Sequence, residues 1–182
     1  NIKLKVKSII IDMDKIVTIN IEQKSINYHN IKNGKRNIKI NINNIICPFG
    51  IDEEYGNYVF KLELDKENEK HMKVIEEIRE LENKLKLQFN TDEEEWKSII
   101  NIRENNNIFI ESKVKKIRNN IVTKLTFKDK DKNYLKTLYE LKYLFTCDVI
   151  LEINTLWDFR KKNEKENNKI GLILNLNSIH VH

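Results

Sequence analysis

Apolar and polar residues alternate with period two through the first third of the chain. "KIVTINIEQ" sets Val17, Ile19 and Ile21 on one side and Thr18, Asn20 and Glu22 on the other, the pattern of a half-buried strand. "NIKININNI" repeats it with Ile38, Ile40 and Ile42, and "YVFKLEL" gives a third strand with Tyr58, Phe60, Leu62 and Leu64 on one side. The segment between the first two, "NYHNIKNGKRN", carries Asn33-Gly34 and is read as a hairpin loop, because both residues tolerate positive φ. Before the third strand, Pro48, Gly50 and Gly56 end one strand and redirect the chain, since proline cannot donate to a ladder and glycine permits tight turns.

The period then changes. "DKENEKHMKVIEEIRELENKLKLQF" spaces Met72, Ile75, Ile78, Leu81, Leu85 and Phe89 by threes and fours, predicting a long amphipathic helix. "TDEEEWKSII" has Thr91 and Glu94 at capping-box spacing and acids in the first turn, predicting a second, shorter helix that carries Trp96. Strand patterns return in "NIFIESKVKK", "IVTKLTFKD", "CDVILEIN" and "GLILNLNSIHV". "NYLKTLYELKYL" reads as a short helix or extended loop, and "DFRKKNEKENNK" as an exposed hairpin loop. Seven or eight strands with a helical insertion at about residues 66–103, and without βαβ alternation, predict a mainly β, antiparallel, barrel-like α+β domain spanning residues 1–182.

Composition changes this picture little. Asn, Ile and Lys are over-used, and 28 Lys stand against 5 Arg, a bias that AT-rich coding produces, so the net charge of +5 is weak evidence for a polyanionic partner. Its distribution says more. Residues 1–50 hold nine basic and three acidic residues, residues 51–104 nine and 16, and residues 105–182 fifteen and nine. Basic flanks around an acidic middle suit a chain that meets a polyanion with one face only. No apolar run approaches the roughly 20 residues that span a bilayer, which predicts an intracellular protein without a membrane partner.

Enzymatic constellations are missing. The chain has no GxGxxG, GxxxxGK[ST], HExxH or GxSxG pattern, so no catalytic residue and no cofactor are expected. Cys47 and Cys147 lack metal-type spacing and read as core thiols. His180 and His182 share a strand face but would need a further ligand, and "DEEY" and "DEEE" have ordinary structural explanations, so no metal is expected either. Basic residues interleaved with aromatics remain, in "KVKKIRNNIVTKLTFK" and "LWDFRKK". Cations neutralise phosphates while aromatic faces stack unpaired bases, the combination that holds single-stranded nucleic acid. The competing reading makes the lysines solvated surface and the aromatics core.

"CPFGIDEEYGNYVFKLEL" followed by a helix resembles the corresponding pattern in the bacteriophage T7-type single-stranded DNA-binding proteins of large nucleocytoplasmic DNA viruses. "IFIESKVKKIRNNIVTKLTFK" looks like that family's middle strands, and "CDVILEINTLWDFRKKNEKENNKIGLILNLNSIHVH" is similar to its closing hairpin, so the resemblance covers residues 38–182. It implies an OB-fold, a Greek-key antiparallel β-barrel with extra strands and an inserted helix after the third strand. It also implies a non-enzymatic protein that coats single-stranded DNA in viral replication, recombination and repair, at a replication site in host cytoplasm or nucleus or packaged in the virion. Polymerase and helicase are the partners the family suggests, with a homodimer left open. The expected phosphate contacts are Lys113, Lys115, Lys116, Arg118, Lys124, Arg160, Lys161 and Lys162, with Lys35 and Arg36 as outlying candidates. Trp157, Phe159 and Phe127 are the expected stacking rings, followed by Tyr58 and Phe60, whose side faces the core. The alternative function is a protein-interaction or scaffold module of a viral replication complex or virion, docking through the acidic helix at 66–89.

Overall fold

The computed structural model describes residues 4–5, 9–10, 16–17, 19–54, 57–117, 120–127, 130–131, 141, 144–160 and 168–182. Ten strands of three residues or more are found there: β1 (Ile19–Ser25), β2 (Tyr28–Asn33), β3 (Ile38–Cys47), β4 (Ile51–Glu54), β5 (Asn57–Leu64), β6 (Ile100–Ile102), β7 (Ile108–Val114), β8 (Lys124–Phe127), β9 (Phe145–Asp158) and β10 (Ile170–Val181). One helix, α1 (Glu69–Phe89), separates β5 from β6. The fold is mainly β, as the alternation predicts.

Five strands close a ring. β9 pairs with β3, β3 with β5, β5 with β7, β7 with β10, and β10 returns to β9. In chain order these are the fourth, first, second, third and fifth ring strands, the Greek-key barrel order of an OB-fold. The third-to-fifth pairing is parallel, with Lys113 opposite Asn175. A small barrel needs strands that bend, and three ring strands change their inward side once. β3 buries Ile38, Ile40 and Ile42, then Ile45 and Cys47; β9 moves from Ile153 to Leu156; β10 moves from Leu176 to Ile179. On β3 the switch is a local bulge at Asn44, whose φ is 56°.

The chain divides into two compact units. The first comprises Asn1–Lys39, Ile75–Ile99 and Ile153–Ile173; the second comprises Ile40–Val74, Ile100–Glu152 and Leu174–His182.

The long helix forms as predicted. Asn68 caps it, its side-chain oxygen accepting from the Lys70 and His71 N–H groups. Asn90, with φ 47°, ends it, and the Thr91 N–H reaches back to the Lys86 carbonyl. Ile75, Ile78, Leu81 and Leu85 are buried, which explains their spacing. The His71 ring, also buried, accepts the Asp65 N–H at Nδ1 and bonds the Asn43 carbonyl through Nε2, fixing the start of the helix beside the β3 bulge.

Three local expectations are corrected. "TDEEEW" is a turn, not a helix: Asp92 Oδ1 accepts the Glu95 N–H, Thr91 donates its hydroxyl to Glu95, and Trp96–Lys97 is a short strand parallel to Ile170–Gly171. Side-chain acceptors there satisfy the backbone N–H groups that a helix would otherwise claim. "NYHNIKN" is not loop but β2, antiparallel to β1. The Asn33-Gly34 turn does form, closed by paired Asn33 and Arg36 backbone bonds, but it follows β2 instead of joining the first two predicted strands. "PFGIDEE" does more than redirect the chain, since β4 folds back antiparallel on β5. Gly56 and most of "NYLKTLYELKYL" fall outside the described residues.

Candidate nucleic-acid interface

In the first unit, aromatic rings gather where β2 meets β9. Trp157 lies opposite Tyr28 in the strand register, and its ring stands 5.3 Å from Phe159 at a tilt of 35°. Tyr28, 38 % exposed, meets Phe159 edge-on at 5.9 Å. Trp157 and Phe159 are half-buried, so each retains some solvent-exposed surface. Phe159 sits at the mouth of the segment joining the fourth and fifth ring strands, its N–H donating to the Lys169 carbonyl. In OB-folds that connection is one of the places where oligonucleotides bind. Tyr28 escapes a reading of the sequence because "NYHN" looks like loop; its one signal is an aromatic beside a hairpin turn.

Arg160 belongs to this unit but serves another purpose. Its guanidinium makes two bonds to the Asp158 carboxylate, at 3.0 and 2.9 Å, and also bonds Glu95 and the Phe89 carbonyl. Burial would raise the Asp158 carboxyl, but Arg160 outweighs it and holds that carboxyl below its ordinary range. Arg160, expected as a phosphate contact, is therefore engaged as a clasp between the end of α1 and β9. Lys35 and Arg36 are exposed on the Gly34 turn. Lys161 and Lys162 lie outside the described residues.

The second unit holds the remaining cations. Lys113 is half-buried on β7 and Lys124 exposed at the start of β8; among the described residues neither makes an ion pair. Lys116 stands 4.3 Å from the Tyr58 ring centre, a cation–π contact. Lys115, also expected as a phosphate contact, is bound at 2.8 Å to buried Glu152. Phe127, at the end of β8, is half-buried. Phe60 is 0 % exposed, so its ring is core and not a stacking surface. Arg118 lies outside the described residues.

A second aromatic group, not predicted, stands in the same unit. Phe49, in the turn after β3, is 50 % exposed and stacks on Phe109 of β7 with centroids 6.2 Å apart. Arg103 covers both rings. From the sequence "PFG" reads only as a turn, although a bulky aromatic in an exposed turn is itself a signal.

His180 and His182 also lie here. His182 Nε2 is 3.1 Å from Asp148, whose carboxylate accepts the Asn44 N–H, and His180 contacts the Thr126 hydroxyl. Among the described residues no group of three or more His, Cys, Asp or Glu is placed to hold a metal ion. Both thiols are buried, and burial pushes Cys47 up to about 11 and raises Cys147 further. No helix among the described residues is long and apolar enough to cross a membrane.

No protein-family model and no curated protein sequence matches the chain. Its fold does match solved structures. The single-stranded DNA-binding protein from bacteriophage Enc34 in complex with ssDNA superposes with a TM-score of 0.50 at 17 % identity, over 89 % of this chain and 93 % of that one. A C-terminal truncation of the same phage protein gives 0.54 at 14 % identity, over 90 % and 94 %. At such identity the likeness establishes the OB-like fold and leaves the function to the residues.

Proposed function

We propose that this chain is a non-enzymatic protein that holds single-stranded DNA without reading its sequence. The observation that carries the reading is the partly open Tyr28–Trp157–Phe159 cluster at the connection between the fourth and fifth ring strands. Stacking on rings of this kind tolerates any base, and it is available only where bases are unpaired. Lys113 and Lys124 supply cations not engaged by carboxylates among the described residues, and the likeness in fold to a phage protein named for single-stranded DNA supports the same partner. A single binding domain across residues 1–182, a place in viral replication, recombination or repair, contacts with polymerase and helicase, and residence at a viral replication site complete the proposal. They follow from the resemblance.

Titration with labelled oligo-dT, duplex DNA and single-stranded RNA at two salt concentrations tests it. Oligo-dT binds with a log–log salt slope of about −0.7 per phosphate contact, and duplex binds more weakly. Salt-insensitive binding, or equal affinity for duplex, would sink the proposal.

A further inference from the structure

The turn after β3 exposes an aromatic ring that its surroundings hold in place. Gly50 has φ 67°, the Cys47 thiol donates to the Gly50 carbonyl at 3.6 Å, and the Ile51 N–H donates to the Leu141 carbonyl. Phe49 projects from this braced turn and is further fixed by stacking on Phe109, itself buried in the β7 ladder. Facing it, Arg103 opens the turn between β6 and β7. That turn is closed by bonds from the Arg103 N–H to the Asn107 carbonyl and from the Asn106 N–H to the Arg103 carbonyl, with Asn106 at φ 60°.

The Arg103 guanidinium carbon stands 4.8 Å from the Phe109 centroid and 5.3 Å from that of Phe49, with 6.2 Å between the rings. The three groups thus form a tight triangle. A guanidinium has five N–H donors in its plane, and its face is what rings attract. Arg103 makes no ion pair among the described residues, in contrast to Arg160. Glu63, opposite Phe109 in the ladder, is bonded by the Asn107 side-chain amide. The result is a planar cation whose donors are unclaimed among the described residues, beside a half-exposed ring with a free surface.

We propose that Phe49, Arg103 and Phe109 form a clamp for one unpaired nucleotide, its phosphate on the Arg103 donor edge and its base on the open surface of Phe49. The clamp rests on the single-stranded DNA reading above and deepens it. It assigns contacts to residues outside the basic runs, in a segment whose overall charge is acidic. Phe109 supports the other two groups and does not touch the strand. Lysine cannot replace Arg103, since a point charge offers neither the flat face nor the fork.

Phe49→Leu and Arg103→Lys, both exposed positions, test the clamp by anisotropy with oligo-dT and with the same strand carrying abasic sites. Phe49→Leu weakens oligo-dT binding by about five-fold or more while the abasic strand loses less than about two-fold, because only the former can stack. Arg103→Lys weakens both strands. Photocross-linking of an iodouridine-substituted strand to the unaltered protein gives a peptide adduct at Phe49, a readout independent of variant folding. If the unaltered protein binds no single strand, the functional reading itself fails. If it binds but both variants bind equally well and cross-links map elsewhere, the clamp alone fails and Arg103 only shields Phe109 from water.

Discussion

The indole of Trp157 lies against the bare backbone of Gly171. A Cβ built there would come within 2.9 Å of the indole Cζ2 and 2.8 Å of the Lys97 carbonyl oxygen. Glycine is thus required by the space the indole and the Trp96–Lys97 strand occupy. Gly171→Ala forces one of them to move, and destabilises by about 1–3 kcal/mol, the range for overpacking. Denaturant unfolding measures the loss, and an altered Trp emission in the folded variant marks displacement of the ring.

Trp157 itself is predicted to report binding. Adding oligo-dT quenches its emission, and Trp157→Ala lowers oligo-dT affinity by about five-fold to a hundred-fold, the cost of one stacked base. Trp96 is buried and gives an unchanging background. Quenching that survives in Trp157→Ala would place the strand elsewhere.

Asp158 and Arg160 set an acid limit. The folded Asp158 carboxyl is held below its usual value by Arg160. Its stabilisation is therefore complete above the unfolded carboxyl value of about 3.9, and is lost as pH falls through the lower folded value. Asp158→Ala costs about 1–3 kcal/mol at neutral pH by removing two hydrogen bonds of the mostly buried Arg160 guanidinium, which keeps Glu95 as its remaining ion-pair partner, and the variant's stability falls less between neutral and pH 3. A parallel decline in both proteins would refute the assignment.

Lys113 and Lys124 should affect binding and leave folding alone. Replacing either with Ala reduces the salt slope for oligo-dT by about 0.7, with thermal midpoints unchanged. Lys115→Ala behaves in the opposite way: it removes an ion-pair partner from buried Glu152 and lowers stability.

Glu82 predicts a purely structural loss. Its buried carboxylate accepts the Ser98 hydroxyl at 2.7 Å and the Ile99 N–H at 2.9 Å. Glu82→Ala leaves the Ile99 donor buried without a partner, at about 1–3 kcal/mol, and leaves oligo-dT affinity unchanged once the protein is folded.

The strands and the long helix were legible because burial on one side writes its period directly into the sequence. Ile38, Ile40 and Ile42, or Ile75, Ile78 and Leu81, needed no knowledge of their partners. β2 was hidden, since of its six residues only Ile31 is fully buried while polar side chains fill the rest. "TDEEEW" misled because Thr, Asp and Glu cap helices and tight turns alike, and what decided between them was the pairing of Trp96 with Ile170, 74 residues away. At the site, charge and aromatic character were visible but engagement was not. Nothing in "WDFRKK" shows that Arg160 is held by Glu95, and nothing in "CPFG" shows that Arg103 covers Phe49.

The barrel ring is closed by β10, which inserts between β7 and β9. Until residues 170–181 have left the ribosome, those two strands present unpaired edges, the kind of template on which chains associate wrongly. Closure over such sequence distances is slow, on the order of milliseconds to seconds for barrel topologies. During synthesis the helix and the β4–β5 hairpin can form early, while the ring waits for its final strand. Truncation inside β10 is therefore expected to yield insoluble chains, even when every proposed DNA contact remains.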